Sequence, residues 1–481
     1  MPEVELPPRR ARTKIVATLG PASSDETTLV EMLAAGADVF RLNTAHGEAD
    51  DIRRQVELIR SVSRRVNRPI GILVDLSGPK IRLGQLHDDG QYCAEAQQFT
   101  LVRGEEAKSA EELTSNYESL IDELSEGDRV MLADGTVGMM VVEKTADTAT
   151  LVTIAPGEIR SRQGINLPGA KLSIQSPTPR DLEFARLAAE LEADFVGLSF
   201  VRSPEEVRRL RNELDAAGSA AWIIAKIEKP QALDNLEGII EAADGVMVAR
   251  GDLGVEIDVA RIAAVQKRII AMCTDFRKPV IVATQMLESM RTSRLPTRAE
   301  ATDVANAILD GADACMLSGE TAIGEHPGEV VEMMNRIAQE TEPLLVNNSQ
   351  RQLTPRPKDT VREITLAMLH GAAAIADQLQ AKMLVVASAS GATAIARAKQ
   401  RDPVRTIGVS SHEQTLRQMC LLWGITPLKD ARIDTDARLA HSVDAWGKSE
   451  GTLAKGDRVV YLSGTGLLDI THDQVIVHEV T

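Results

Sequence analysis

Eight short apolar runs rich in β-branched residues punctuate residues 13–345, at 14–19, 38–43, 69–76, 194–200, 222–228, 244–250, 278–284 and 313–318. Between them apolar side chains return every third or fourth position, over 25–35, 48–66, 204–217, 262–276 and 298–309. Strand-length runs alternating with helix-length segments predict βα units joined into a parallel sheet. Eight such units in series predict an α/β chain built on a closed (β/α)8 TIM barrel, in which chemistry sits at the C-terminal ends of the strands.

One interval breaks the alternation. From Ser77 to about Ser173 the helical period vanishes, and turn signals such as Asp88-Asp89-Gly90, Glu126-Gly127-Asp128, Asp134-Gly135 and Pro156-Gly157 separate short strand-like runs. This predicts a small all-β module inserted at the catalytic mouth of the barrel, where a lid that excludes water would work. Beyond a polar, proline-containing link at 347–357, runs at 382–387, 405–410 and 457–462 predict further parallel strands in an open α/β domain. The expected division is a discontinuous barrel over 1–77 and 174–345, a β-barrel lid over 78–173, and a C-terminal regulatory domain over 346–481.

Polar and ionisable residues stand at nearly every predicted strand exit: Thr18, Arg41 with Asn43, Asp75, Phe200 with Arg202, Lys226 with Glu228, Arg250 with Asp252, Thr284 with Gln285, and Ser318 with Glu320. Loop polarity by chance would not favour one end of each strand so consistently. Lys226 and Glu228 lie two apart on one strand and point the same way, and Asp252 leaves the neighbouring strand at a similar depth. An ammonium beside two carboxylates fits a Mg²⁺ site with a positive charge poised over an anionic substrate, and a salt-bridge cluster is the alternative. In the C-terminal domain Ser388, Ser390, Gly391 and Thr393 link a strand to a helix beginning near Ala394. Hydroxyls and free N–H groups at a helix N-terminus suit an anion, although Ser and Thr also cap helices routinely.

Composition narrows the partners. The chain has 481 residues, 43% hydrophobic and 26% charged, which fits about three soluble domains. A net charge of −16 without a long run of Lys or Arg argues against nucleic acid or an anionic membrane, so an anionic substrate needs a local basic site. Cys93, Cys273, Cys315 and Cys420 are scattered without a Cys-x-x-Cys pair, which points to buried thiols in a reducing compartment. No apolar h-region opens the chain and no stretch approaches the ~18 apolar residues of a membrane span, so the expected location is cytoplasmic.

Long motifs recur in a fixed order: 14–21, Arg41-Leu42-Asn43-Thr44-Ala45-His46-Gly47, 75–82 with Ser77-Gly78-Pro79-Lys80, 164–169, 222–229, 245–254, 283–290, 296–300 and 317–321. By these motifs the chain resembles the pyruvate kinase family over essentially its whole length. The resemblance implies phosphoryl transfer from phosphoenolpyruvate to ADP in glycolysis, giving ATP and an enolate that is protonated to pyruvate. It implies that Glu228 and Asp252 hold Mg²⁺ or Mn²⁺, that Lys226 and Arg41 face the transferring phosphoryl group, and that the Gly251 and Asp252 amides receive the substrate carboxylate. Thr284 matches a residue near the methylene carbon that takes part in protonation. Thr18, Asn43, His46 and Arg82 match residues around the phosphate and nucleotide, Asp134 a lid contact made on closure, and Ser318 and Glu320 supporting residues. A homotetramer is likewise implied.

The departures from the family pattern carry information of their own. Where many members bind K⁺, Asn43 and Asp75 remain, but Ala45, Leu76 and Lys80 replace the usual Ser, Thr and Glu. The expectation is that the Lys80 ammonium supplies the charge a bound K⁺ would bring, so that K⁺ is not required. Gln163 stands where a lid lysine is usual, with Arg162 beside it as a substitute. Ser388, Ser390, Gly391 and Thr393 match the family's effector-phosphate loop. The Trp and Arg expected for a second phosphate are not evident, and 463–466 is short and uncharged, which favours a sugar monophosphate or AMP over a bisphosphate. The rival readings are a Mg²⁺-dependent barrel lyase or aldolase acting on a pyruvate-like 2-oxo acid, distinguished by ADP dependence, and a catalytically idle scaffold.

Overall fold

Apolar runs without alternation require a sheet covered on both faces, which a parallel barrel achieves by filling its inside with side chains and its outside with helices. A computed structural model describes residues 6, 11–45, 47–169, 173–348, 361–464 and 472–481. Its strands β1 (Lys14–Thr18), β2 (Val39–Asn43), β3 (Gly71–Asp75), β4 (Phe195–Leu198), β5 (Trp222–Ile227), β6 (Gly245–Ala249), β7 (Val280–Ala283) and β8 (Ala314–Leu317) pair in sequence order, all parallel, and β8 closes on β1. The predicted barrel is therefore present, with each predicted run containing one strand.

Val16, Val39, Leu73, Phe195, Ile224, Met247, Ile281 and Met316 fill the barrel interior, while the other faces of the strands pack under the helices. The helix Ala49–Arg65 buries Ile52, Val56, Ile59 and Val62 at helical spacing against that outer layer. The helix Arg298–Asp310 starts on a capping box between Thr297 and Glu300 and stops at Gly311, whose φ of 103° suits a residue without Cβ.

The floor of the barrel repeats one device. Asp38, Asp194, Asp244 and Asp313 stand one residue before β2, β4, β6 and β8, and each carboxylate accepts the backbone N–H of the preceding strand, from Ile15 (2.9 Å), Ile72 (2.9 Å), Ile223 (2.8 Å) and Val280 (2.8 Å). Each carboxylate has a cation: Lys14 on Asp38, Arg60 and Arg417 on Asp194, Arg211 on Asp244, Lys399 and Arg401 on Asp313. Arg417, Lys399 and Arg401 come from the C-terminal domain, and Cys420 and Leu421 from the same domain join the interior cluster of the barrel. The C-terminal domain is thus docked on the end opposite the strand exits.

Between β3 and the helix Pro179–Glu190 lies the predicted all-β insertion, a six-stranded sheet and a two-stranded sheet around Leu101, Leu113, Val130, Leu132, Met139 and Leu151. The C-terminal sheet orders its strands Ile425–Pro427, Arg405–Val409, Met383–Ala387, Arg458–Ser463 and Gln474–Glu479. The three predicted strands are parallel as expected; the last is an antiparallel edge that its short, half-exposed sequence did not announce. All four cysteines are free and buried. Among the described residues no helix is long and apolar enough to cross a membrane.

Asp313→Ala removes the acceptor of the Val280 N–H and the partner of Lys399, which is 1% exposed. Losing one member of such a buried pair costs about 3–5 kcal/mol. The expected outcome is a clearly lowered midpoint of chemical denaturation, and an unchanged midpoint would show that the clamp carries no stability.

Candidate active site

At the strand exits the structure assembles a buried charge cluster. Lys226, one residue before the end of β5, places Nζ 3.0 Å from Glu228 Oε1 and 3.3 Å from Asp75 Oδ1, and donates to Ser199 Oγ at 2.6 Å. The lysine side chain is 11% exposed and both carboxylates 1%. Asp75 fits beside β4 because Gly197 lies there: a Cβ on that glycine would fall 2.6 Å from Asp75 Oδ1. Asp75 Oδ2 accepts from Arg41 Nε at 2.6 Å, and Arg41 Nη1 donates to Thr18 Oγ1 at 3.2 Å. Three strands thus contribute Arg41, Asp75 and Lys226 to one connected network.

The electrostatics are set by burial against pairing. Burial opposes the charge of Asp75, but Lys226 and Arg41 outweigh it and hold its pKa below the ordinary value. Burial likewise opposes the charge of Lys226, yet Asp75 and Glu228 prevail and its pKa is raised, so the ammonium stays charged at neutral pH. Glu228 goes the other way. Burial raises its pKa, Lys226 resists, and the nearby negative charge of Asp252 pushes it further up. A carboxylate under-compensated in this manner, with Asp252 nearby, is what a divalent cation would satisfy. Among the described residues no three His, Cys, Asp or Glu side chains are grouped to hold a metal by themselves, so the remaining coordination would fall to substrate oxygens and water.

Each backbone step around the cluster has a visible cause. Glu228 Oε2 accepts the Phe200 N–H at 2.6 Å, which fixes the turn after β4 with Phe200 at a φ of 56°. Ser199 Oγ donates to the Leu76 carbonyl at 2.6 Å, tying β4 to the exit of β3 while it receives Lys226. Beyond β6 the seven-residue helix Arg250–Glu256 carries Gly251 and Asp252. Gly251 N donates to Thr284 Oγ1 at 2.7 Å, and that hydroxyl donates to the Ala283 carbonyl at 2.6 Å. Glu320 accepts from Leu287 N and Ser318 N, a bracing role, and burial raises its pKa.

Lys80 departs from expectation. Its ammonium lies 3.4 Å from Asp252 Oδ1 instead of beside Asn43 and Asp75, because it follows the exit of β3 by five positions, on the hinge into the insertion, and reaches across the mouth. Asp75 is already engaged by Arg41 and Lys226, and Asn43 Oδ1 caps its own turn by accepting the Ala45 N–H at 3.2 Å.

Thr18, Arg41, Asn43 and Ser318 line a cleft of about 980 Å³ that runs from the charge cluster past Pro21 and Arg54. Pro21 and Arg54 lack any exit signal in the sequence and were not anticipated. The predicted nucleotide residue His46 lies outside the described residues. Within the insertion, Arg82 Nη1 donates to the Arg162 carbonyl at 3.2 Å, and Gln163 Oε1 accepts from Arg160 N at 2.8 Å. Asp134 is exposed at the insertion's tip, at a φ of 53°, and its neighbour Gly135 packs on Val255 of the helix that carries Asp252.

In the C-terminal domain the helix after Met383–Ala387 begins at Ala392, two residues earlier than expected, with Gly391 at a φ of 84° as its cap. Ser388 and Thr393 are buried, Ser390 is exposed, and Thr393 Oγ1 lies 3.5 Å from His472 Nδ1. Ser463, at the end of the adjacent parallel strand, has a buried hydroxyl without a hydrogen-bond partner. Residues 465–466 of the short uncharged loop lie outside the described residues.

Comparison with known proteins bears on the family. Residues 10–331 match the family model described as "Pyruvate kinase, barrel domain", and residues 366–478 match "Pyruvate kinase, alpha/beta domain". A pyruvate kinase of Thermotoga maritima is 36% identical over 452 residues, 94% of this chain and 96% of its own length. That of Mycobacterium intracellulare is 38% identical over 453 residues, 94% of this chain and 95% of its own. That of Staphylococcus epidermidis is 38% identical over 456 residues, 94% of this chain and 77% of its own. None of these relatives favours the lyase reading. The chain belongs to the pyruvate kinase family and is an enzyme of its phosphotransferase class.

Proposed function

We propose that the chain transfers the phosphoryl group of phosphoenolpyruvate to ADP, forming ATP and pyruvate in glycolysis. The observation that carries the reading is the permanently charged Lys226, buried between Asp75 and Glu228 with Arg41 on the far oxygen of Asp75. Phosphoryl transfer spreads negative charge over the equatorial oxygens, and a fixed, desolvated ammonium stabilises that charge without reorganising. Arg41 presents guanidinium donors to the same group. Glu228 and Asp252 would hold Mg²⁺ or Mn²⁺, which would supply Lewis-acid stabilisation of the charge that develops on the substrate. The Gly251 and Asp252 amides receive the substrate carboxylate; Gly251 N–H then exchanges its bond to Thr284 Oγ1 for one to the substrate. For Thr284 to face the enolate carbon, where the proton is delivered, its hydroxyl hydrogen also turns away from the Ala283 carbonyl. ADP occupies the cleft past Thr18 and Asn43, with His46, Arg82 and Asp134 closing on it from loop and lid.

The proposed domain bounds are 1–77 with 174–345, 78–173, and 346–481. The proposed enzyme is a cytoplasmic homotetramer. K⁺ is not required, because Ala45 lacks the side-chain oxygen of the usual Ser and the Lys80 ammonium already stands at the metal side of the mouth. An effector bearing one phosphate, a sugar monophosphate or AMP, binds at Ser388, Ser390, Gly391 and Thr393, with support from the unpartnered Ser463 hydroxyl nearby.

Three outcomes are expected. In a coupled assay, pyruvate appears from phosphoenolpyruvate only with ADP present, and Lys226→Met lowers kcat by about a hundredfold or more; a variant within tenfold of the parent would remove Lys226 from its role. With Mg²⁺ in K⁺-free buffer, activity stays within about twofold of that with K⁺, since a fixed charge replaces a diffusible one; strong K⁺ activation would reject the Lys80 substitution. Titration with a sugar monophosphate and with AMP moves the phosphoenolpyruvate saturation curve for at least one of them, and Ser390→Asp abolishes the shift by like-charge repulsion; curves unmoved by both ligands would dismiss the effector site.

A further inference from the structure

Two consecutive non-glycine residues after β7 hold left-handed backbone, Thr284 at a φ of 72° and Gln285 at 55°. A β-branched residue at positive φ is a genuine outlier, and such strain persists only where its surroundings over-determine it. Thr284 sits at the predicted reacting centre, so what over-determines it bears on chemistry.

Arg250 is the group in position to do so. Its Nη2 donates to the Thr284 carbonyl at 2.9 Å and reaches the Gln285 carbonyl at 3.5 Å. The guanidinium is braced from behind by Asp303 on the helix Arg298–Asp310, with Nη1 at 2.8 Å from Oδ1 and Nη2 at 2.7 Å from Oδ2. The arginine side chain is 10% exposed and the aspartate 40%. The next residue, Gly251, grips the Thr284 hydroxyl through its N–H at 2.7 Å. One dipeptide therefore holds Thr284 twice, by its carbonyl and by its hydroxyl. A planar fork can serve carbonyls and a carboxylate together, whereas an ammonium concentrates its donors at one point.

We infer that Arg250, braced by Asp303, is a positioning residue that keeps the strained Thr284–Gln285 turn in the geometry that aims the Thr284 hydroxyl at the enolate carbon. The inference rests on the proposed reading of the site. Arg250 is paired with Asp303 and the Thr284 carbonyl; on this reading it acts on the second half of the reaction, where carbon is protonated, through Thr284. Displacing a reacting group by about an ångström costs up to about a hundredfold in rate.

The test uses the full chain with Arg250→Lys, Asp303→Asn and the double variant, each checked for a parent-like thermal melt. Arg250→Lys is expected to lower kcat about tenfold or more with KM for phosphoenolpyruvate within about threefold, and to slow exchange of the pyruvate methyl protons with deuterated water by a similar factor. Asp303→Asn gives a smaller loss of about threefold, and the double variant is no worse than Arg250→Lys, because the aspartate acts through the arginine. The inference is overturned by Arg250→Lys kinetics within twofold of the parent, by a loss confined to KM, or by methyl exchange at the parental rate. Should Arg250→Lys fail to fold, Asp303→Asn decides alone, and unchanged proton exchange in it overturns the inference. Parental ADP-dependent turnover tests the functional reading separately, so the two failures are distinguishable.

Discussion

A buried ammonium has to be surrounded before it can be useful. Lys226 loses most of its hydration at the barrel mouth, a cost that burial alone would settle by deprotonating the group. Asp75 and Glu228 reverse that outcome, and Ser199 takes a further ammonium proton at 2.6 Å. The requirement then propagates outward. Asp75 needs room beside β4, which Gly197 provides, and a second cation, which Arg41 supplies. Glu228 needs a donor for its other oxygen, and the Phe200 N–H serves only because the chain takes a left-handed turn there. One charge thus dictates a glycine, a turn and the placement of two neighbouring strands.

The opposite end of the barrel solves a related problem with a different result. Of the floor acids, Asp38, Asp194 and Asp313 are buried as Asp75 and Glu228 are, and Asp244 is 33% exposed, but each is saturated by a backbone N–H and by Lys or Arg side chains. Saturated acids hold strands in register and give the C-terminal domain its seat through Arg417, Lys399 and Arg401. At the mouth, Glu228 is left with a raised pKa, and that residual tension separates a site that can accept a ligand from a site that is only structural.

What was legible in the sequence follows from range. The barrel strands were readable because their apolar runs are local, and Lys226 and Glu228 because a spacing of two on a strand fixes a common face. The Ala-Asp pairs at 37–38, 193–194, 243–244 and 312–313 were equally local and marked every second strand start, yet their meaning was hidden, since Arg417 lies 223 residues from Asp194. Ser199 was overlooked beside the more conspicuous Phe200 and Arg202. Lys80 was placed with Asn43 and Asp75 by resemblance, and only the path of the hinge sends it to Asp252. Arg250 stood out as a charged strand exit, but the strain it braces is a property of backbone angles that no residue type at 284 or 285 declares.

The charge balance of the mouth bears on the order in which ligands enter. Arg41, Lys226 and Lys80 face Asp75, Glu228 and Asp252, and every one of these cations is within 3.4 Å of one of these acids. The side chains of the mouth are therefore close to neutral in sum. A phosphate ester with a carboxylate brought to it alone would add two or more negative charges to a poorly hydrated space already holding three acids, and mutual repulsion there is strong. A divalent cation alone would meet Asp252 already paired with Lys80. On the proposed reading Glu228 and Asp252 would hold the cation, and Lys80, released from Asp252, would be left with Arg41 to face the substrate anion. Lys80 and Asp252 are thus paired with each other where the proposed reading assigns them to opposite ligands, the anion and the cation.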